Sequence, residues 1–123
     1  MPGSQPVRRR DHRDAGVLAP LDRAATDWLF RLVAVSYVAF SFLDCLTTAY
    51  GLAHGGRERN PIAAALYREH GVAALFAFKG LVVVVIVLAL RLLPRRPAVW
   101  AGTVFAAVAA VAVSANLGAI GAR

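Results

Sequence analysis

Asp44 stands in the run Ser41-Phe42-Leu43-Asp44-Cys45-Leu46-Thr47-Thr48, a carboxylate with hydroxyl neighbours inside a long apolar block. An ionisable group at that depth in a bilayer is costly, so it faces protein or a wet cavity and takes a partner. Lys79, followed by Gly80, is the one charge in the interior of the next apolar block, whose other charge, Arg91, stands near its end. An ammonium and a carboxylate so placed can neutralise each other, hold a polar ligand or exchange a proton. Further polar groups cluster in Arg57-Glu58-Arg59-Asn60-Pro61 and at Ser114 and Asn116. The candidate polar centre is therefore Asp44, Thr47, Thr48, Glu58, Asn60, Pro61, Lys79 and Asn116. The sequence points to no catalytic residue, metal site or cofactor. It offers no nucleophile–base pair and no phosphate loop, and His54 and His70 lack metal-ligand spacing.

Helices must carry these residues. The chain of 123 residues is 59% hydrophobic, and its apolar residues fall in three blocks, 28–53, 72–93 and 98–120. Each block supplies the roughly 20 residues that a bilayer core requires. The second and third lack the polar face that a soluble bundle would need. The predicted fold is all-α, a polytopic membrane protein with three transmembrane helices plus a short outer interfacial helix at about 61–70. Asn60-Pro61 is the start signal of that short helix and Gly71 its stop. Residues 1–19 read as a disordered cytoplasmic tail, and residues 20–123 as a single helical transmembrane domain.

In the first block Tyr37, Ser41, Asp44 and Thr48 share one helix face, with Thr47 beside them and Gly51 and Gly55 beyond. In the third, Gly102, Ala106, Ala110, Ser114 and Gly118 recur at every fourth position, a ladder that permits close helix contact. Cys45, the single cysteine, reads as a small buried side chain. The first block also has the layout of a signal peptide, and cleavage stays open. Its long, acidic as well as basic leader and its apolar continuation past Asp44 favour a retained span.

The net charge of +7 does not indicate nucleic acid, because the five arginines before Trp28 are nearly cancelled by Asp11, Asp14, Asp22 and Asp27 and no aromatic residues interleave them. It follows topology instead. Five arginines before Trp28, Arg31 and the Arg91, Arg95, Arg96 loop make nine on one side, against Arg57, Arg59, Arg68 and Arg123 on the other. By the positive-inside rule the amino terminus is cytoplasmic and the carboxyl terminus outside, with Trp28 and Trp100 at the inner interface. Asp44 then lies roughly 13 Å, and Lys79 roughly 11 Å, below the outer end of its helix. Adjacent antiparallel helices would bring them level as an ion pair.

The set Asp44-Cys45-Leu46-Thr47-Thr48, Glu58-Arg59-Asn60-Pro61 and Lys79, with Asn116 a weaker match, resembles a family of small prokaryotic multispanning proteins catalogued as a domain of unknown function. Its pattern is an Asp-x-x-Thr-Thr, a Glu-x-Asn-Pro after a glycine-rich turn, and a lysine in the next span. The resemblance covers roughly residues 28–120 and implies a compact helical membrane domain. It brings no activity or substrate with it.

Three functions fit these residues. The first is a small integral membrane protein acting as a binding or assembly module, with a polar centre near the outer leaflet and a homo-oligomer or partner membrane protein contacted through the third span. The second is an ion- or proton-coupled transport component working as an oligomer. The third is an intramembrane enzyme with Asp44 or Glu58 as acid or base, for which the sequence shows the least support.

Overall fold

The structure, a computed structural model, describes residues 11–122, with side-chain environments from Asp22 onward. It contains three helices, α1 (Asp11–Ala53), α2 (Pro61–Leu92) and α3 (Arg95–Gly121), and no strand among the described residues. Asp22–Ala53 of α1, α2 and α3 are each long and apolar enough to cross a membrane. The chain fits a small integral membrane protein. The amino-terminal tail expected over residues 1–19 falls partly on residues 1–10, outside the described residues, and α1 begins at Asp11.

Three local devices set the helix ends. The amide of Gly56 donates to Gly51 O and that of Gly55 to Leu52 O. This is the double bond pattern that closes a helix through a left-handed residue, and Gly55 supplies it at φ 83°. Asn60 then starts α2: its Oδ1 accepts from the amides of Ile62 at 3.0 Å and Ala63 at 3.4 Å, and Pro61 follows where no donor is needed. At the other end Pro94 and Arg95 turn the chain directly from α2 into α3.

The short helix expected over residues 61–70 corresponds to the first segment of α2. That segment is broken from the rest of the helix by Gly71 at φ 78° and ψ −169°. Only glycine occupies that backbone region at low cost, so the signal that stops the first segment persists as a kink. Residues 72–92 remain to cross the bilayer, about 31 Å at the helical rise.

α1 packs mainly on α3, and α2 is applied to both more lightly. α1 and α3 run parallel in constant register, so Asp27 meets Arg95, Val33 meets Gly102, Tyr37 meets Phe105 and Thr48 meets Asn116. Closest approach is at Gly102, where a Cβ would stand 2.6 Å from Val33 Cγ1. The ladder on α3 holds for only half its length. Gly102 is buried and Ala106 and Ala110 half-buried, but Ser114 and Gly118 are exposed. A strict four-residue step advances about 40° too far per turn of a 3.6-residue helix, so the ladder winds off the contact face. Ala98, Gly102, Val113 and half-buried Asn116 keep the true period and stay on it.

The end that carries the α2–α3 turn is the better closed. Phe30, Leu90 and Ala98 form a buried cluster, one residue from each helix, with Ile86, Val99 and Ala101 against it. Arg95 lies 4.4 Å over the Phe30 ring and donates to Asp27 Oδ1 at 2.8 Å, while Arg96 donates to Asp22 Oδ2 at 2.8 Å. These two aspartates, which offset arginines of their own segment in a linear count, are used by the first turn of α3. Trp28 and Trp100 are exposed at this same end.

Candidate functional site

Toward the other end, polar side chains from all three helices converge. Lys79 Nζ donates to Asp44 Oδ2 at 2.6 Å and to Thr48 Oγ1 at 3.1 Å. Asn116 Nδ2 donates to Asp44 Oδ1 at 2.9 Å and reaches Thr47 and Thr48 Oγ1, both at 3.2 Å. The amide of Asn116 must present its nitrogen here, because an ionised carboxylate can only accept. Asp44 thus has one donor on each oxygen, from α2 and from α3, across sequence separations of 35 and 72 residues. Thr47 Oγ1 passes its own proton to Leu43 O at 2.9 Å, which leaves its lone pairs for Asn116. Adjacent threonines lie about 100° apart on a helix, so the pair can flank Asn116 from two sides.

Glu58 completes the charge set. Its side chain is 9% exposed, and Oε2 lies 3.6 Å from Lys79 Nζ without a hydrogen bond of its own. Oε1 accepts from the Asn60 amide at 2.9 Å, which holds the carboxylate over the lysine. The loop thus turns this carboxylate inward, toward Lys79. The cluster therefore holds two carboxylates and one ammonium.

The remaining candidates divide. Asn60 spends its side chain on the α2 cap, although it borders the cavity above the cluster. Pro61 is exposed at the first turn of α2 and does not line that cavity. Ser114, expected near Asn116, is exposed and bonds to Ala110 O at 2.9 Å, because two helical positions carry it to the opposite side. Gly80 faces open space and gives no room that Lys79 needs. Tyr37 is buried against Phe105 with ring centroids 5.9 Å apart, and Cys45 is buried and free. The His54 ring stacks on Tyr50 at 4.1 Å, and His70 lies beside Glu69. No group of three His, Cys, Asp or Glu side chains among the described residues is placed to hold a metal.

Above the cluster opens a cavity of about 670 Å³. Asp44, Thr47, Thr48, Lys79 and Asn116 form its polar part, Gly51, Leu52 and Ala115 belong to its walls, and Arg57, Glu58 and Arg59 come from the α1–α2 loop. Arg57 and Arg59, topology markers that also stand in the polar run around Glu58, were not among the expected centre residues and yet line the cavity. Their place beside Glu58 in a glycine-bounded loop was the signal that could have drawn them into the site.

The family model described as Domain of unknown function (DUF5658) matches residues 35–120. The chain belongs to this family. No curated protein and no solved structure matches it. The family region contains every residue of the Asp44–Lys79–Asn116 network and Glu58, whereas Asp22, Asp27 and Phe30 at the opposite end of the bundle precede it.

Proposed function

We propose that the chain is a binding or assembly module of the cell membrane, with its amino terminus cytoplasmic, its carboxyl terminus outside and its polar centre open toward the outer leaflet. One observation carries the reading: the Asp44–Lys79–Asn116 network forms part of the lining of an open cavity of about 670 Å³. A polar cluster that served only to fix helix register would be expected beneath packed side chains, whereas convergent polar groups lining a concavity are what ligand sites present. The orientation rests on the excess of arginines at the end that also carries Trp28 and Trp100. The exposed Ser114 and Gly118 on α3 leave a small-residue surface on which a second copy or a partner helix could pack.

A transport role is the second reading, because Lys79 stands 2.6 Å from one carboxylate and 3.6 Å from another and could exchange them. The test is a thermal-shift panel on detergent-purified protein, using glycerol 3-phosphate, phosphocholine, amino acids and sugars as headgroup and solute probes. Binding to the folded state raises the melting temperature by mass action. The expected result is a shift by at least one probe that disappears in Asn116→Ala. A panel without any such shift, together with ion flux into liposomes that Asp44→Asn abolishes, would replace binding by transport.

A further inference from the structure

A second cavity adjoins the first. It is a crevice of about 350 Å³ that shares Asp44, Asn60, Lys79 and Ala112 with the polar chamber. From there it continues along Phe78, Val82, Val83 and Ile86 of α2, opposite Val108 and Ala109 of α3. Its walls are apolar apart from Tyr37, Ser41 and the shared polar residues. Val82 and Val108 are exposed on its two walls, so the crevice opens between α2 and α3 on the apolar surface that a bilayer would cover. A polar chamber and a lipid-facing apolar slot that meet at one ion pair have the layout of an amphiphile.

The charges indicate which amphiphile. Arg57, Arg59 and Lys79 line the chamber against Asp44 and Glu58, which leaves one positive charge. A phosphodiester carries one negative charge and closes that balance. Arginine also suits phosphate, since its planar fork can donate twice. Arg57 and Arg59 are exposed on the loop, whereas Asp44 and Glu58 lie deeper beside Lys79. Passing outward, a ligand would therefore meet apolar wall, then acceptor groups, then cationic rim.

We propose that the joined cavities bind a single-chain lipid with an anionic phosphodiester headgroup: the acyl chain in the α2–α3 crevice, a hydroxyl next to the chain at Asp44 and Glu58, and the phosphate at Arg57 and Arg59. This rests on the binding reading given above and names the ligand class for that site.

The test is equilibrium binding to the full chain in maltoside detergent, followed by native mass spectrometry. The probes are 1-palmitoyl-glycerophosphoglycerol, 1-palmitoyl-glycerophosphocholine and glycerol 3-phosphate. The expected result is saturable binding of one molecule of the glycerophosphoglycerol lipid, at least about tenfold tighter than either other probe. Arg57→Gln with Arg59→Gln should weaken it about tenfold, and so should Val82→Trp, which fills the crevice from an exposed position. Val108→Trp narrows the opposite wall and serves if the first tryptophan disturbs folding. Equal binding of the phosphocholine lipid overturns the charge assignment. Binding of glycerol 3-phosphate as tight as that of the lipid, with both tryptophan variants unaffected, overturns the amphiphile while leaving a polar binding site in place. If none of the three probes binds, the lipid inference falls, and the wider headgroup and solute panel then decides the binding reading.

Discussion

The three charges of the Asp44–Lys79–Glu58 cluster are not equivalent, and removing them one at a time should show it. Lys79 stands between Asp44 at 2.6 Å and Glu58 at 3.6 Å, with side-chain exposures of 17%, 20% and 9%. Lys79→Gln leaves two carboxylates facing each other without a cation. Breaking a buried pair by removing one partner costs about 3–5 kcal/mol, and residual exposure places this case near the lower end. Asp44→Asn leaves one ammonium and one carboxylate, so charge still balances. The loss is then chiefly one charge-assisted hydrogen bond, at about 1.5–3 kcal/mol, because Lys79 and Asn116 donate to different oxygens of Asp44 and the amide replaces one of those oxygens by a donor. Adding Glu58→Gln to Lys79→Gln removes half of the stranded charge and should recover about 1 kcal/mol or more. Urea or thermal unfolding of the purified variants in one detergent reads these differences. An Asp44→Asn variant as unstable as Lys79→Gln, or no recovery from Glu58→Gln, would refute the three-charge account and reduce the cluster to a simple pair.

Two further substitutions probe the scaffold. Gly102→Ala places a methyl 2.6 Å from Val33 Cγ1, on a β-branched side chain that cannot swing aside within its helix. It should cost about 1–3 kcal/mol, and Val33→Ala in the same chain should restore most of the loss in the same unfolding assay. Gly71→Ala meets no neighbouring atom, yet it forces a side chain into a backbone region that only glycine tolerates. A destabilisation of about 1–3 kcal/mol is expected, accompanied in circular dichroism by unchanged helix content.

Where charge and helical periodicity act alone, the sequence was readable. The three spans follow from uninterrupted apolar length, and the pairing of Asp44 with Lys79 from their equal depth in antiparallel helices. Asn116 entered as a weaker candidate and proves to be the second donor to Asp44, because the parallel α1–α3 register brings it level. What could not be read depends on rotation about an axis. The four-residue ladder of α3 looked continuous in one dimension, but the helical repeat turns Ser114 and Gly118 away from α1. The direction of Glu58 was likewise undetermined by composition, since it follows from the closing turn at Gly55 and Gly56 and from the bond to the Asn60 amide. The Gly71 signal was correctly placed, yet local propensity does not say whether the chain stops there or bends and goes on.

The link between Asp44 and Lys79 also bears on how such a chain enters a membrane. When the first span emerges during synthesis, its aspartate has no counter-ion, and the lysine is the thirty-fifth residue to follow it. A lone aspartate or lysine at the centre of a lipid-exposed helix opposes insertion by about 2.5–3.5 kcal/mol. The two spans therefore gain by leaving the insertion machinery together as a hairpin, with the charge of each discounted by the other. Asn116 arrives last, so the third span closes onto a hairpin already neutralised.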